Sequence, residues 1–359
     1  MRQHTLFALI ASVLLGAVGL TAAKTDAVRG RLDREIKQLR HALASKSDKD
    51  WQQIKPAVVA NLAVAEAALN SGSLYLAVDA LNGARFSYQG GEAADRPDII
   101  KGGREAFMEE WRKLDAQLAK GEREYQSRHS KKAPAAVRAL AEMNIGRVRA
   151  LYQGARAFND ISGPEAGLYY LGTASGALQS ALFSQEVKFP SAPGAYPARS
   201  IAAEIHQLQN EVLAAYQPPR SIDRHPDFIR INSLIKVAGE LDAAKLYYGS
   251  MDQYLEAVRA FATLKADSPR PLADLRAEAA RYRERLVSKT VDHSIAALFL
   301  EKAEYRINGD KPDEPATRQA IEGALAALPA YFAALEHPAV EAPVVGKLVT
   351  VTLVRWPYT

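Results

Sequence analysis

The sequence predicts an all-α protein of stacked antiparallel helical hairpins that ends in a short strand-like tail. Three observations carry that expectation. Ala, Leu, Glu, Lys and Arg, the strong helix formers, dominate the chain. Apolar residues recur at helical spacing, and short Gly-, Pro- and Asn-containing turns break the runs. Only the last stretch, "KLVTVTLVRWPYT", departs from this pattern. An apolar fraction of 48 % and a charged fraction of 24 % fit a globular chain with a sizeable core.

The elements follow in order. Residues 1–23 hold Arg2, an apolar run over 6–20, and then Thr21-Ala22-Ala23, with small residues at the −3 and −1 positions. That is the pattern of a secretory signal peptide cleaved after Ala23. The apolar run falls short of the roughly 20 residues that span a bilayer. A retained signal anchor is the alternative. Export to the periplasm or the medium is expected, with no integral span after cleavage.

Residues 25–45 place Val28, Leu32, Ile36, Leu39 and Leu43 on one helical stripe. A second helix holds Ile54, Val58, Leu62 and Val64, with Asp48 as its cap; Asn70-Ser71-Gly72 breaks it. "SLYLAVDALNGARFSY" gives a third helix that stops near Gly90-Gly91. Residues 97–132 read as a long helix with Phe107, Trp111, Leu114 and Leu118 on one face. A helix over 134–158, a turn over 159–164 and a helix opening on "GLYYLGTASGALQSALF" follow. Pro190, Pro193 and Pro197 make the next stretch a loop. A helix over 198–216 ends at Pro218-Pro219, the predicted boundary between an N-terminal helical region, 24–217, and a C-terminal one, 218–340. The latter has helices near 227–249, 252–265, 270–288, 292–308 and 314–335, before a tail over 341–359.

The helices look paired. In "LDAAKLYYGSMDQYLEAVRAFATLKADSP" one helix ends near Gly249 and another starts near Asp252. With Tyr248, Tyr254, Ala257, Phe261 and Pro269, this segment, 241–269, resembles a tetratricopeptide repeat (TPR). Asp252 stands where that family often has Gly, and Lys245 replaces its small residue. Residues 64–86 give a fainter copy through Gly72, Leu74, Ala77, Leu81 and Ala84. "GLYYLGTASGA" and "RQAIEGALAAL" are looser. The resemblance implies a TPR-like solenoid or an extended helical bundle, and a scaffold that holds peptides or proteins. Stacked repeats of this kind create concave surfaces.

Charge and chemistry narrow the function. The net charge is +5, with acidic and basic residues interspersed. A nucleic-acid binder carries a concentrated basic stripe, so no such partner is expected. The chain has no cysteine. That excludes disulfides, thiol catalysis, Cys-based zinc sites, attached haem and a lipoprotein anchor. His4, His41, His129, His206, His225, His293 and His337 form no metal motif, and no cofactor or metal is expected. His206 reads as a helix-flank residue and His41 as a contact to a helix C-terminus. Glu301 and Glu304, with Lys302 and Arg306, read as a solvated salt-bridge face. "NGDKPDEP" lacks the spacing of a calcium loop and reads as a turn. No catalytic residue stands out.

Tyr75, Tyr169, Tyr170, Tyr247, Tyr248 and Tyr254 gather near the predicted helix turns and are the candidate binding residues. Tyrosine buries area while keeping a polar handle; packing in the repeat core is the competing role. The tail alternates Val349, Val351 and Leu353 against Thr350 and Thr352, with Trp356 beyond, and reads as a strand lacking a partner. "SQEVKFP" is the only other strand candidate. The tail would pair there, fold back as a clasp, or add to a sheet in a partner or a second copy. The expected function is a non-catalytic envelope scaffold or adaptor that binds a protein or peptide. The alternative is an envelope enzyme acting on a polymer such as peptidoglycan through a carboxylate acid.

Overall fold

The computed structural model describes residues 2–46, 51–128, 133–192, 194–218, 221–265, 269–288 and 290–336, the side chains of 2–22 excepted. The predicted tail strand, with Val349, Val351, Leu353 and Trp356, lies outside the described residues, as does the proposed cap Asp48. The described chain is all-α. Its helices are α1 (Arg2–Ala44), α2 (Lys55–Ser71), α3 (Leu74–Ala94), α4 (Pro97–Ser127), α5 (Ala135–Ser162) and α6 (Pro164–Glu186). They continue as α7 (Ala202–Ala215), α8 (His225–Ala243), α9 (Tyr247–Lys265), α10 (Leu272–Arg285), α11 (Ser294–Ile307) and α12 (Pro315–Glu336). A 3₁₀ turn, Ile222–Arg224, precedes α8. Among the described residues no strand forms; a single parallel bridge joins Ala195 and Val291. The strand candidate "SQEVKFP" instead finishes α6 and enters the loop, because Phe189 stacks on Tyr75 at 5.5 Å.

The predicted stripes become the core. Val28, Leu32, Ile36 and Leu43 of α1 pack with α2 and α3 in one cluster. A second cluster joins α4, α5 and α6 around Phe107, Leu118 and Tyr152. A third gathers α7 to α12 around Phe261, Phe299 and Tyr331. Helix α5 feeds all three clusters, through Ala135 and Ala139, Ala136 and Leu140, and Val148 and Tyr152. Neighbours in space are often distant in sequence. Helix α3 packs on α6, and α9 packs on both α5 and α12.

Several boundaries differ from expectation. The hairpin of residues 241–269 turns at 244–246, where Lys245 takes a positive φ of 61°. Gly249 and Asp252 therefore lie inside α9. Gly249 is there because a Cβ would sit 2.9 Å from Glu142 of α5. Gly90, read as a stop, lies within α3 for the same reason: a Cβ would meet the Tyr169 ring at 2.7 Å. These glycines mark close approaches rather than helix ends. Helix α5 runs on to Ser162, leaving Gly163 (φ 91°) as the whole turn before Pro164 opens α6. "NGDKPDEP" is the turn between α11 and α12, as expected.

Candidate functional site

A concavity of about 690 Å³ lies between α7, α9 and α12, with α10 at one end. Each wall is a helical stripe at i, i+4, i+7 spacing. Helix α9 presents Tyr254, Val258 and Phe261; α7 presents Glu204, Leu208 and Glu211; α12 presents Ala326, Ala330 and Ala333. Alanines on α12 leave the space that larger side chains would fill. Pro329, also on this wall, removes the N–H that the Leu325 carbonyl would accept and so loosens the helix there.

The rim is acidic. Glu204, Glu211, Glu278 and Glu322 line it against Lys265 and Arg270. Arg270 pairs with Glu278 at 2.7 Å, and Glu204 with Arg199 at 3.1 Å. Glu211 and Glu322 make no ion pair among the described residues. Lys265 stands 4.8 Å over the Phe261 ring. Burial pushes the Tyr254 hydroxyl up to about 12, and Glu204 and Glu211 add to it.

The six candidate tyrosines are not one surface. Tyr254 alone lines the groove. Tyr248 stands under the Arg138 guanidinium and beside Tyr196, its ring centroid 4.9 Å away. Tyr247 opens α9 next to it. Tyr170 stacks on Phe158 at 3.9 Å and meets Tyr169 edge-on. Tyr75 lines a second cleft, about 340 Å³, with Asp292, His293, Ser294 and Glu301.

That cleft holds a feature the sequence reading missed. Glu301, expected on a solvated face, turns inward and accepts the Leu76 N–H at 2.8 Å, at the start of α3. Burial pushes its carboxyl up to about 8, although the Leu76 N–H opposes this. Other helix starts are bound the same way. Glu142 of α5 accepts the N–H groups of Tyr248 and Gly249, at 2.9 and 3.0 Å, at the start of α9. Asp292 accepts the Ala135 N–H at 2.6 Å, opening α5. Asp242 accepts the Ile201 N–H at 2.9 Å, opening α7. None of α3, α5 and α7 receives a side-chain hydrogen bond from its own N-cap residue. Free N–H groups and the positive dipole end attract a carboxylate wherever it comes from. Here it comes from another element, α11 for Glu301, α5 for Glu142, the loop before α11 for Asp292 and α8 for Asp242, so each contact fixes a tertiary pairing.

Lys302 is buried as well, not solvated. Its ammonium lies 2.6 Å from Glu256 of α9 and 2.9 Å from Asp79 of α3. Arg259 reaches Glu256 at 2.6 Å. Burial opposes ionisation of Glu256, but Lys302 and Arg259 outweigh it and hold the carboxyl down at about 2. Asp252, beside them, is buried with Oδ1 lacking a hydrogen-bond partner, and burial raises its carboxyl to about 7. Only Glu304 of the predicted face behaves as expected, pairing with Arg283 at 2.6 Å near the surface.

Among the described residues, no three His, Asp or Glu side chains converge as a metal site. No protein-family model, curated protein or solved structure matches this chain.

Proposed function

We propose that the chain is an exported, non-catalytic helical scaffold that holds a peptide segment of a partner protein in the cell envelope. The groove between α7, α9 and α12 carries this reading. Its apolar floor suits Leu-, Val- or Phe-type anchors, and its acidic rim, with Glu211 making no ion pair among the described residues, suits flanking Lys or Arg. Two further observations support it. The α8–α9 hairpin keeps the small TPR-like residue Ala257 fully buried, as close helix pairing requires. Residues 1–23 carry the export pattern, and no helix of the described residues is long and apolar enough to cross a membrane. The solenoid-like use of a concave face and the periplasmic or secreted location belong to this proposal.

Panning a displayed peptide library against the protein tests it. Enrichment of apolar peptides flanked by basic residues, lost on the Ala330→Arg variant, is the expected outcome. No enrichment, or binders indifferent to that variant, would count against the groove.

One observation favours the enzymatic alternative: Glu301 holds a proton near neutral pH at the edge of a cleft, as a general acid must. Its bond to Leu76 gives it a structural task instead. Dye release from labelled peptidoglycan sacculi, abolished by Glu301→Gln, would establish the catalytic reading. Absence of release by the unaltered protein would remove it.

A further inference from the structure

A pocket of about 240 Å³ lies between the start of α8, the end of α9 and the start of α12. Arg224, Arg230 and Arg259 all line it, with Asp227 as the one acid and Thr263 and Gln319 as neutral polar groups. Asp227 and the Glu256 partner of Arg259 offset part of this positive charge, and an anion bound among the three guanidinium groups would offset the rest. Two of the three are held in place. Glu256 grips Arg259 through Nε at 2.7 Å, and the Leu264 carbonyl accepts from Arg224. Neither Arg224 nor Arg230 forms an ion pair with a carboxylate among the described residues, although both are exposed. The N-terminal dipole of α8 adds to the positive field.

A separate observation points to the source of the anion. Seven large apolar side chains stand exposed among the described residues, and three of them, Leu213, Ile222 and Ile229, belong to this corner. Leu213 is near the end of α7, Ile222 in the 3₁₀ turn and Ile229 in the second turn of α8. Exposed aliphatic residues beside unpaired arginines are the signature of a surface that rests on a bilayer. A soluble phosphate ligand would have no use for them.

We propose that the α7–α8 corner docks on an anionic membrane surface. The phosphate of a lipid headgroup enters the pocket and takes hydrogen bonds from Arg224, Arg230 and Arg259. Leu213, Ile222 and Ile229 lie in the interfacial layer. This contact is independent of the peptide groove and would orient the scaffold on the membrane while leaving the groove open.

Vesicle co-sedimentation of the full chain tests the proposal, comparing phosphatidylcholine vesicles with vesicles that also contain phosphatidylglycerol. The unaltered protein should bind the anionic vesicles in a salt-sensitive manner. At about 1 kcal/mol per arginine, Arg224→Ala/Arg230→Ala should weaken that binding about 30-fold. Ile222→Ser/Ile229→Ser should weaken it without changing its salt dependence. All four positions are exposed, and matching thermal melts would show that the variants fold. Equal sedimentation of the unaltered and arginine-variant chains would overturn the proposal. So would tight binding of inorganic phosphate, by titration calorimetry, with no preference for anionic vesicles.

Discussion

Helices α3 and α6 close on each other, whereas α7 and α12 stand apart across a groove. The difference lies in where the small residues sit. In α6, Gly172 lies so close to α3 that a Cβ would be 2.1 Å from the Gln89 carbonyl oxygen. There, lost side-chain volume becomes backbone approach, and the surface disappears. On α12, Ala326, Ala330 and Ala333 face an opening instead, because Tyr254 and Phe261 of α9 hold the floor. The same economy of volume therefore closes one face and opens another.

The two regions meet at Lys302, which bridges Asp79 of α3 and Glu256 of α9. Lys302→Met should give the largest effect. It strips Asp79 of its cation and leaves Glu256 only Arg259, costing about 4 kcal/mol by denaturant unfolding. A loss under about 1 kcal/mol would show that the two regions do not depend on this junction.

Gly172→Val should come next, at about 3 kcal/mol, since α3 and α6 must separate to admit the side chain. A thermal melt close to that of the parent would mean that the α3–α6 face is not closed in this way.

Glu301→Gln should act through pH. The folded carboxyl holds its proton up to about pH 8, while the unfolded chain releases it near the ordinary 4.5. Folding therefore binds a proton between these values, and stability falls as pH rises through them. Asp252, raised to about 7, acts in the same direction. Glu301's share of that fall should vanish in the glutamine variant. Glu256 works oppositely: held at about 2, it contributes stability that is lost only as pH drops below the usual carboxylate range. Equal pH profiles for parent and variant would place Glu301 outside this coupling.

Ala330→Arg should be the mildest for folding, within about 0.5 kcal/mol, because the side chain extends into open space. Its effect belongs to binding alone. A large loss of stability would mean that the groove wall is core.

Much of the fold was legible because amphipathic stripes repeat at helical period. Val28, Leu32, Ile36 and Leu43 were read as a buried face and are one. Helix ends were less legible where glycine plays two parts. Gly72 ends α2 with a φ of 83°, but Gly90 and Gly249 sit in mid-helix because a neighbour presses on them. Local sequence does not distinguish these cases. The site was the least legible. The groove needs three helices that are far apart in the chain, and only Tyr254 among the candidate tyrosines lines it. Glu301 and Lys302 were read as surface charges because i, i+3 and i, i+4 charge spacing describes one helix alone. Their partners, Leu76, Asp79 and Glu256, come from elsewhere in the sequence.

The most direct test places a photo-crosslinking benzoylphenylalanine at Ala330 in the groove and, as a control, at exposed Val59 on α2, in the cell that makes the protein. Groove binding predicts an adduct from position 330 only, mapped by mass spectrometry to an apolar peptide flanked by Lys or Arg and displaced by the panned peptide. Adducts from both positions alike, or from neither, would contradict it.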